Sequence, residues 1–266
     1  MKLYDHLRKF FRFIKLYSIY ERFLYTDIKS GPIPRHIGVI LDGNRRWARK
    51  EGLDKKTAYR IGAKKVEEII SWSKELGIKN LTLFVLSTEN YMKRSADELA
   101  ILFELLEEYL RKLLDDDPEK NKVRIRFIGN LDLLKDRNLK QLIEEVERKY
   151  SYSDSLTVNI AFLYGGKWDI VNATKRIVNA VLKGEITSND ISIETFQKYL
   201  STSHLDSQDL DMVLRTGGEW RLSNFLLWEA AYSELIFMDV YWPEFRKIDF
   251  LRAIRIYQHR NRRFGA

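Results

Sequence analysis

Two stretches of this chain hold the residue types that grip phosphate. The first reads His36-Ile37-Gly38-Val39-Ile40-Leu41-Asp42-Gly43-Asn44-Arg45-Arg46-Trp47. The second reads Arg215-Thr216-Gly217-Gly218-Glu219-Trp220-Arg221-Leu222-Ser223-Asn224-Phe225. Each begins as a short apolar strand and breaks into a segment of Gly, Asn, Ser and Arg. Such segments offer backbone N–H groups and guanidinium forks to phosphate oxygens. Asp42, at the end of the first strand, could let Mg²⁺ bridge protein and diphosphate. Taken alone, an Asp before Gly-Asn reads as a helix N-cap; the nearby Arg46 and the second loop favour a ligand role. Two phosphate-type loops far apart in sequence point to a site for two phosphorylated substrates.

Other candidates carry weaker signals. Ser87-Thr88-Glu89-Asn90-Tyr91 reads as a polar loop closing a second strand. Glu234 reads as a solvated helix end, and Arg263-Phe264-Gly265 as a basic tail. Asp115-Asp116-Asp117-Pro118 lacks the spacing of a paired metal motif. No Gly-x-x-x-x-Gly-Lys-Ser/Thr loop is present, nor a Gly-x-Gly-x-x-Gly after a strand. The four histidines are scattered, and Gly165-Gly166-Lys167-Trp168 suits a structural turn.

Composition narrows the classes. With no cysteine, disulfides, thiolate zinc sites and cysteine nucleophiles are excluded. No run of 18 apolar residues exists to span a bilayer, and the first thirty residues lack the apolar core of a secretory signal. A cytoplasmic location is expected, with peripheral contact at the inner membrane face left open. The net charge of +8 favours anionic partners: diphosphates, an anionic lipid surface or nucleic acid. No RNA-binding motif supports the last, and a nucleic-acid partner is not expected. Cations concentrate at both ends, with seven Lys/Arg against three acids in residues 1–30.

These residues must be positioned by something. Residues 3–25 read as an amphipathic helix, with Leu3, Leu7, Phe10, Phe11, Ile14 and Tyr17 on one face and Arg8, Lys9, Arg12 and Lys15 on another. It suits either a membrane interface or packing on its own domain. Gly31-Pro32-Ile33-Pro34 ends it, so residues 1–30 are expected as an appended helix and 31–266 as a single catalytic domain. Beyond it, strand signals at 36–41, 81–86, 123–128, 156–163, 211–214 and 235–238 alternate with helix signals at 58–77, 95–114, 131–149, 168–182, 192–200 and 247–262. This alternation predicts an α/β fold with a mostly parallel six-stranded sheet flanked by helices. Ligands then sit beyond the strands' carboxyl ends, where Asp42, Ser87 and Arg215 fall. Ile69, Leu83, Val85, Leu102, Leu106 and Leu110 could line an apolar sleeve, although ordinary core is the plainer reading for most.

The Asp-Gly-Asn-x-Arg-Trp-Ala and Arg-Thr-Gly-Gly-x-x-Arg-x-Ser-Asn-Phe motifs together make the chain resemble the cis-prenyltransferases, the undecaprenyl/dehydrodolichyl diphosphate synthase family, from about Pro32 to Gly265. The resemblance implies that family's fold and a Mg²⁺-dependent extension of an allylic diphosphate (farnesyl or geranylgeranyl) by isopentenyl diphosphate, supplying a lipid carrier for glycan assembly. It implies that Arg215, Arg221 and Ser223 hold isopentenyl diphosphate, with Leu222 beside them. Asp42, Gly43, Asn44 and Arg46 would serve the allylic diphosphate and its metal, with Arg45, Trp47, Lys55 and Tyr59 nearby. Ser87, Thr88, Glu89, Asn90 and Tyr91 resemble a further family motif, in which Asn90 assists proton loss and Tyr91 borders the apolar substrate. Arg94 and Glu98 match a following Arg and Glu if one extra residue is allowed. Glu234 would be a second metal carboxylate, delivered across a homodimer interface, and Arg263 and Gly265 would reach a partner's phosphate site.

The chain departs from the pattern at Lys55, where many members have Arg, and at Tyr59 and Trp220, where histidines are common. That weakens any scheme needing imidazole. Arg45, where bacterial members commonly have Gly, resembles eukaryotic and archaeal members and fits an archaeal one, and the Lys-, Ile- and Glu-rich, cysteine-free composition fits a thermophile. A non-catalytic member serving an active partner would lack the two motifs that this chain keeps.

Overall fold

The computed structural model describes residues 16–260. Most of the expected 3–25 helix, and Arg263 and Gly265, lie outside the described residues.

Six strands form one sheet: β1 (His36–Ile40), β2 (Asn80–Ser87), β3 (Val123–Ile128), β4 (Leu156–Tyr164), β5 (Met212–Arg215) and β6 (Glu234–Phe237). Their order is β3-β4-β2-β1-β5-β6. Every neighbouring pair is parallel, so the sheet is wholly rather than mostly so. All residues of β1, β4 and β5 are buried, which explains why they are mostly apolar. From β1 the chain moves outward through β2, and it later crosses back to β5 on β1's other side. The crevice between the carboxyl ends of β1 and β5 is therefore the topological switch point, where open parallel sheets take ligands.

Ten helices are described: α1 (Leu16–Lys29), α2 (Asn44–Glu51), α3 (Lys55–Leu76), α4 (Thr88–Lys93), α5 (Ala96–Asp115), α6 (Pro118–Asn121), α7 (Arg137–Lys149), α8 (Gly166–Leu182), α9 (Ile193–Gln197) and α10 (Lys247–His259). Two of them occupy segments expected as loops. α2 follows Gly43 directly and buries only Ala48, so it shows no apolar stripe. α4 replaces the polar loop after β2, and Ser87 caps it by accepting from Asn90 N at 3.0 Å. The expected 131–149 helix starts late. Asp136 accepts from the backbone of Asn138 and Leu139, fixing α7's first turn, and only a 3₁₀ turn precedes it at Leu131–Leu133.

The inner face of α1 packs on the main body. Leu24 and Ile28 are wholly buried within the principal core, and Tyr25 OH donates to Glu75 O at 3.2 Å. Of the two settings open to the N-terminal helix, packing on its own domain is found for this inner face.

The second phosphate-type loop is tied down from behind. Phe225 stacks on Phe84 with centroids 4.7 Å apart. Glu229, almost fully buried, accepts from Thr202 Oγ1 at 2.7 Å. Burial pushes the Glu229 carboxyl up to about 7; the Thr202 hydrogen bond opposes this and nearby Asp169 adds to it. Folding thus favours the protonated acid, and stability falls as pH rises from about 4.5 towards 7. Glu229→Gln should flatten stability across that window, as urea unfolding at a series of pH values would show. An unchanged slope would contradict this assignment.

Candidate active site

The site forms where β1 and β5 end side by side. Ile40 pairs with Arg215 in register, so Asp42 lies over Arg215. Arg215 Nη2 donates to Asp42 Oδ2 at 2.7 Å. The other oxygen, Oδ1, accepts from Gly43 N at 2.6 Å and lies 3.1 Å from Arg46 Nη2. Arg46 Nη1 donates to Glu219 Oε1 at 2.9 Å, and Arg221 Nη1 to Glu219 Oε2 at 2.6 Å. Charges therefore alternate from Arg221 through Glu219, Arg46 and Asp42 to Arg215, joining the two loops.

Glycine makes this approach possible. Gly217 has φ +89°, and a Cβ there would lie 2.7 Å from Arg46 Nη2 and 3.1 Å from the Asp42 backbone. Gly43 is the N-cap of α2 with φ +106°, and its Cβ would strike Tyr241 at 2.7 Å. The first turn of α2, with Arg45 and Arg46, consequently opens onto the site.

Electrostatics keep Asp42 ionised. Burial would raise its pKa, but the Arg215 hydrogen bond and charge, then Arg46 and the Gly43 N–H, outweigh burial and hold the carboxyl below its ordinary range. The cavity around it measures about 950 Å³ and is lined by seven cations, Arg45, Arg46, Arg49, Lys55, Arg94, Arg215 and Arg221, against the carboxylates of Asp42, Glu89 and Glu219. Such an excess inside a cleft suits a multiply charged anion.

The second loop holds unusual backbone. Ser223, Asn224 and Leu226 have φ of +52°, +66° and +40°. Conformations of this kind persist only where surroundings enforce them. Here Arg215 Nη1 donates to Ser223 Oγ at 2.7 Å and to the Arg221 carbonyl. Asn224 accepts from Gly166 N at its carbonyl (2.7 Å) and from Lys167 N at Oδ1 (2.9 Å), and its amide donates to Glu89. The Gly165-Gly166-Lys167 turn is thus structural, as expected, and it braces this loop.

On the far side of the cavity, buried Glu98 collects four groups. Tyr59 OH donates to it at 2.8 Å and Lys55 Nζ at 3.1 Å; Arg94 Nε lies at 3.3 Å and Arg45 Nη1 at 3.8 Å. Burial would raise the Glu98 pKa, but these partners lower it. The Tyr59 phenol is pushed up, chiefly by burial, so it stays protonated and serves as a donor. Arg94 Nε and Nη1 are buried without hydrogen-bond partners.

An apolar sleeve of about 150 Å³ adjoins this cavity, lined by Val66, Ile70, Leu102, Leu106, Leu110 and Phe127 among others. Leu41, Asn44, Tyr59, Val85 and Arg94 line both spaces. Of the sleeve candidates, Val85, Leu102, Leu106 and Leu110 face it. Ile69 and Leu83 are fully buried core.

Most expected site residues converge here. Gly43, Asn44, Ser87, Asn90 and Ser223 join the ionic groups named above in lining the cavity. Five of the described ones do not line it. Tyr91 turns into the core, its OH donating to Leu133 O at 3.1 Å. Thr88 donates to Glu89. Leu222 packs in the apolar cluster beneath its loop, and Trp47 is half-buried at its side. Glu234 is no helix end, as its plain reading had it, and within its own chain it lies away from Asp42. It opens β6, and a parallel sheet puts that end at the edge opposite Asp42; there it accepts from Arg260 Nη1 at 3.1 Å. Arg49, Glu219 and Asn224 were not among the expected contacts, and Glu98 was named only as a match to a family position. Arg49 follows Arg45 by one helical turn, which was a usable signal, whereas neither bridging carboxylate has one.

Among the described residues no cluster of three or more His, Cys, Asp or Glu could cage a metal. An ionised, partly exposed Asp42 fits a Mg²⁺ that takes its other ligands from diphosphate and water.

Comparison places these features among known proteins. Residues 40–265 match the prenyltransferase family model for undecaprenyl diphosphate synthases. A tritrans,polycis-undecaprenyl-diphosphate synthase (geranylgeranyl-diphosphate specific) of Pyrococcus furiosus is 46% identical over 265 residues, 99% of this chain and 98% of its own. A synthase of Sulfolobus acidocaldarius with the same stated specificity is 45% identical over 252 residues, 94% of this chain and 95% of its own. The lavandulyl diphosphate synthase of Lavandula x intermedia, solved with dimethylallyl diphosphate, superposes with TM-score 0.82 at 32% identity, covering 88% of this chain and 99% of that one. A probable undecaprenyl diphosphate synthase of Campylobacter jejuni gives TM-score 0.71 at 35% identity over 88% of this chain and all of that one.

Because Arg215 is only 4% exposed, losing the Asp42 charge leaves a buried guanidinium unanswered. Asp42→Asn should lower stability at pH 7 by about 1–3 kcal/mol, the partial exposure of Asp42 keeping it below the range of fully buried pairs. A depressed carboxyl contributes above its unfolded pKa and loses that contribution as pH falls through the folded value, so the deficit should vanish in acid. Equal stability of the two proteins at neutral pH would count against the ion pair.

Proposed function

Since the chain belongs to the undecaprenyl diphosphate synthase family of cis-prenyltransferases, we propose that it extends an allylic prenyl diphosphate by repeated cis addition of isopentenyl diphosphate. Geranylgeranyl diphosphate is the preferred primer in this reading, by similarity to its archaeal relatives, and the long polyprenyl diphosphate serves as a glycosyl carrier lipid. The observation that carries the reading is a cation-lined cavity that shares five residues with an apolar sleeve. That arrangement matches a charged head on a growing hydrocarbon.

The two loops divide the work. The α2 N-terminus, Asn44 and Arg46 receive the allylic diphosphate, with Lys55, Tyr59 and Arg94 turned towards it from the Glu98 side. Arg94 brings two buried donors that an acceptor would satisfy. Arg215, Arg221 and Ser223 hold isopentenyl diphosphate. Asp42 lies between and would hold Mg²⁺, which when bound neutralises charge on the leaving diphosphate. The terminal alkene carbon of isopentenyl diphosphate bonds to allylic C1 while the C1–O bond breaks and diphosphate leaves with the electron pair. A proton leaves C2 of isopentenyl diphosphate for the released diphosphate, assisted by Asn90, and its electron pair closes the new cis C2–C3 double bond. Fixed cations and N–H donors stabilise the developing charge without reorganising. Holding both substrates in line can supply about 7–11 kcal/mol of the barrier.

The growing chain fills the sleeve, at roughly 0.8 kcal/mol per buried CH₂-sized group. A homodimer belongs to the same reading and would bring Glu234, Arg263 and Gly265 to a neighbouring subunit's site.

Purified protein with radiolabelled isopentenyl diphosphate, Mg²⁺ and geranyl, farnesyl or geranylgeranyl diphosphate should form butanol-extractable product, fastest with the longest primer. Asp42→Asn should lower kcat by about 10²–10³-fold or more; unchanged turnover would remove Asp42 from the mechanism. Leu106→Trp should shorten the products seen by chromatography, and an unaltered length distribution would show that the chain grows elsewhere.

A further inference from the structure

The outward face of α1 has no work in prenyl transfer, yet it is built distinctively. Ile19 and Phe23, one helical turn apart, are 65% and 61% exposed. Tyr20 lies beside them, with the Arg252 guanidinium of α10 5.5 Å over its ring. Ile256, one turn beyond Arg252, is also exposed. Two adjacent helices thus present apolar tips interleaved with cations.

Acids only partly offset that charge. Asp27 pairs with Arg255 at 3.3 Å, and Glu21 lies 4.0 Å from Lys247. Arg252 lies 4.0 Å from the buried Asp249 but stays exposed on the surface, as does Arg22. In sequence, residues 1–15 lead into α1 with five Lys or Arg, one acid and six Leu, Ile or Phe.

The helices run parallel. Arg246, just before α10, lies 5.2 Å over the Tyr17 ring near the start of α1, and Gln258 near the end of α10 donates to Ile28 O at 2.7 Å. Their starts lie at the sheet's carboxyl edge, because the preceding Trp242 N donates to Asp42 O at 3.0 Å and the Trp242 side chain lines the apolar sleeve. The basic, apolar N-terminal stretch therefore joins the fold at the same end as the candidate site.

We propose that the outward α1–α10 face, centred on Ile19, Phe23 and Arg252, docks on an anionic lipid bilayer. The chemistry is complementary: cations meet lipid headgroups while Ile and Phe tips enter the interfacial layer. Such tips on a convex helix pair suit a fluid surface better than a shaped protein partner. Its use, delivery of a water-insoluble polyprenyl product at the membrane, rests on the function proposed above; the binding itself needs neither substrate nor metal.

The test is co-sedimentation of the full-length chain with vesicles of phosphatidylcholine alone or mixed with phosphatidylglycerol, across a salt series. Binding should require phosphatidylglycerol and weaken as salt rises. Ile19→Glu/Phe23→Glu should reduce it by roughly tenfold or more, with the thermal melt and the initial prenyl-transfer rate on a short soluble primer unchanged. Arg252→Gln/Ile256→Glu on the neighbouring helix should weaken it in the same direction. Equal vesicle binding by both variants, or none by the native chain, overturns the proposal. So does a drop from dimer to monomer mass in the α1 variant, which would show that a second copy covers this face. If vesicles bind as expected but no product forms, the enzymatic reading fails and the surface stands.

Discussion

Arg215 is a nearly buried guanidinium, and its charge must be answered inside the protein. Asp42 answers it at 2.7 Å from the end of the neighbouring strand. Everything else about the site follows from that pair. It sets the second loop against the first, requires glycine at 217, and leaves Asp42 one oxygen for Gly43 N and Arg46. Withdrawing a guanidinium from water is expensive unless it is paired and hydrogen-bonded. The Ser223 hydroxyl and the Arg221 carbonyl satisfy Nη1, while Nε is buried without a hydrogen-bond partner.

Among the described residues, each arginine expected to meet phosphate is already engaged with a carboxylate of the chain. Arg46 and Arg221 share Glu219, and Arg45, Lys55 and Arg94 gather round Glu98. These carboxylates hold the cations in place and limit their mutual repulsion. In the function proposed above, incoming diphosphates would exchange one set of ionic partners for another. Preorganisation of this kind is what electrostatic catalysis requires.

Much of this was legible in the sequence, for reasons that individual residues make plain. The strands stood out because both faces of a parallel sheet are covered, so Leu81 to Leu86 is almost continuously apolar. The two motif loops stood out because few other functions need Asp-Gly-Asn-Arg and paired arginines around Gly-Gly. α2 was missed because Asn44–Glu51 carries charges all round and buries one residue, leaving no helical stripe. Glu219 was hidden, and the partners of Glu98 with it, because nothing in sequence says which acid answers which arginine. Tyr91 was placed wrongly because strand-end residues can turn either into the cavity or into the core, and packing on Phe103 decides it. Glu234 reads in sequence as a helix end, whereas it opens β6.

The most direct measurement is a crystal structure of the chain with isopentenyl diphosphate, a thio-analogue of geranylgeranyl diphosphate and Mg²⁺. The expected density has one diphosphate on the α2 N-terminus and Arg46, the other on Arg215, Arg221 and Ser223, the cation on Asp42 and the hydrocarbon between α3 and α5. Headgroups bound away from these loops, or an Asp42 still closed onto both arginines with substrates present, would contradict it.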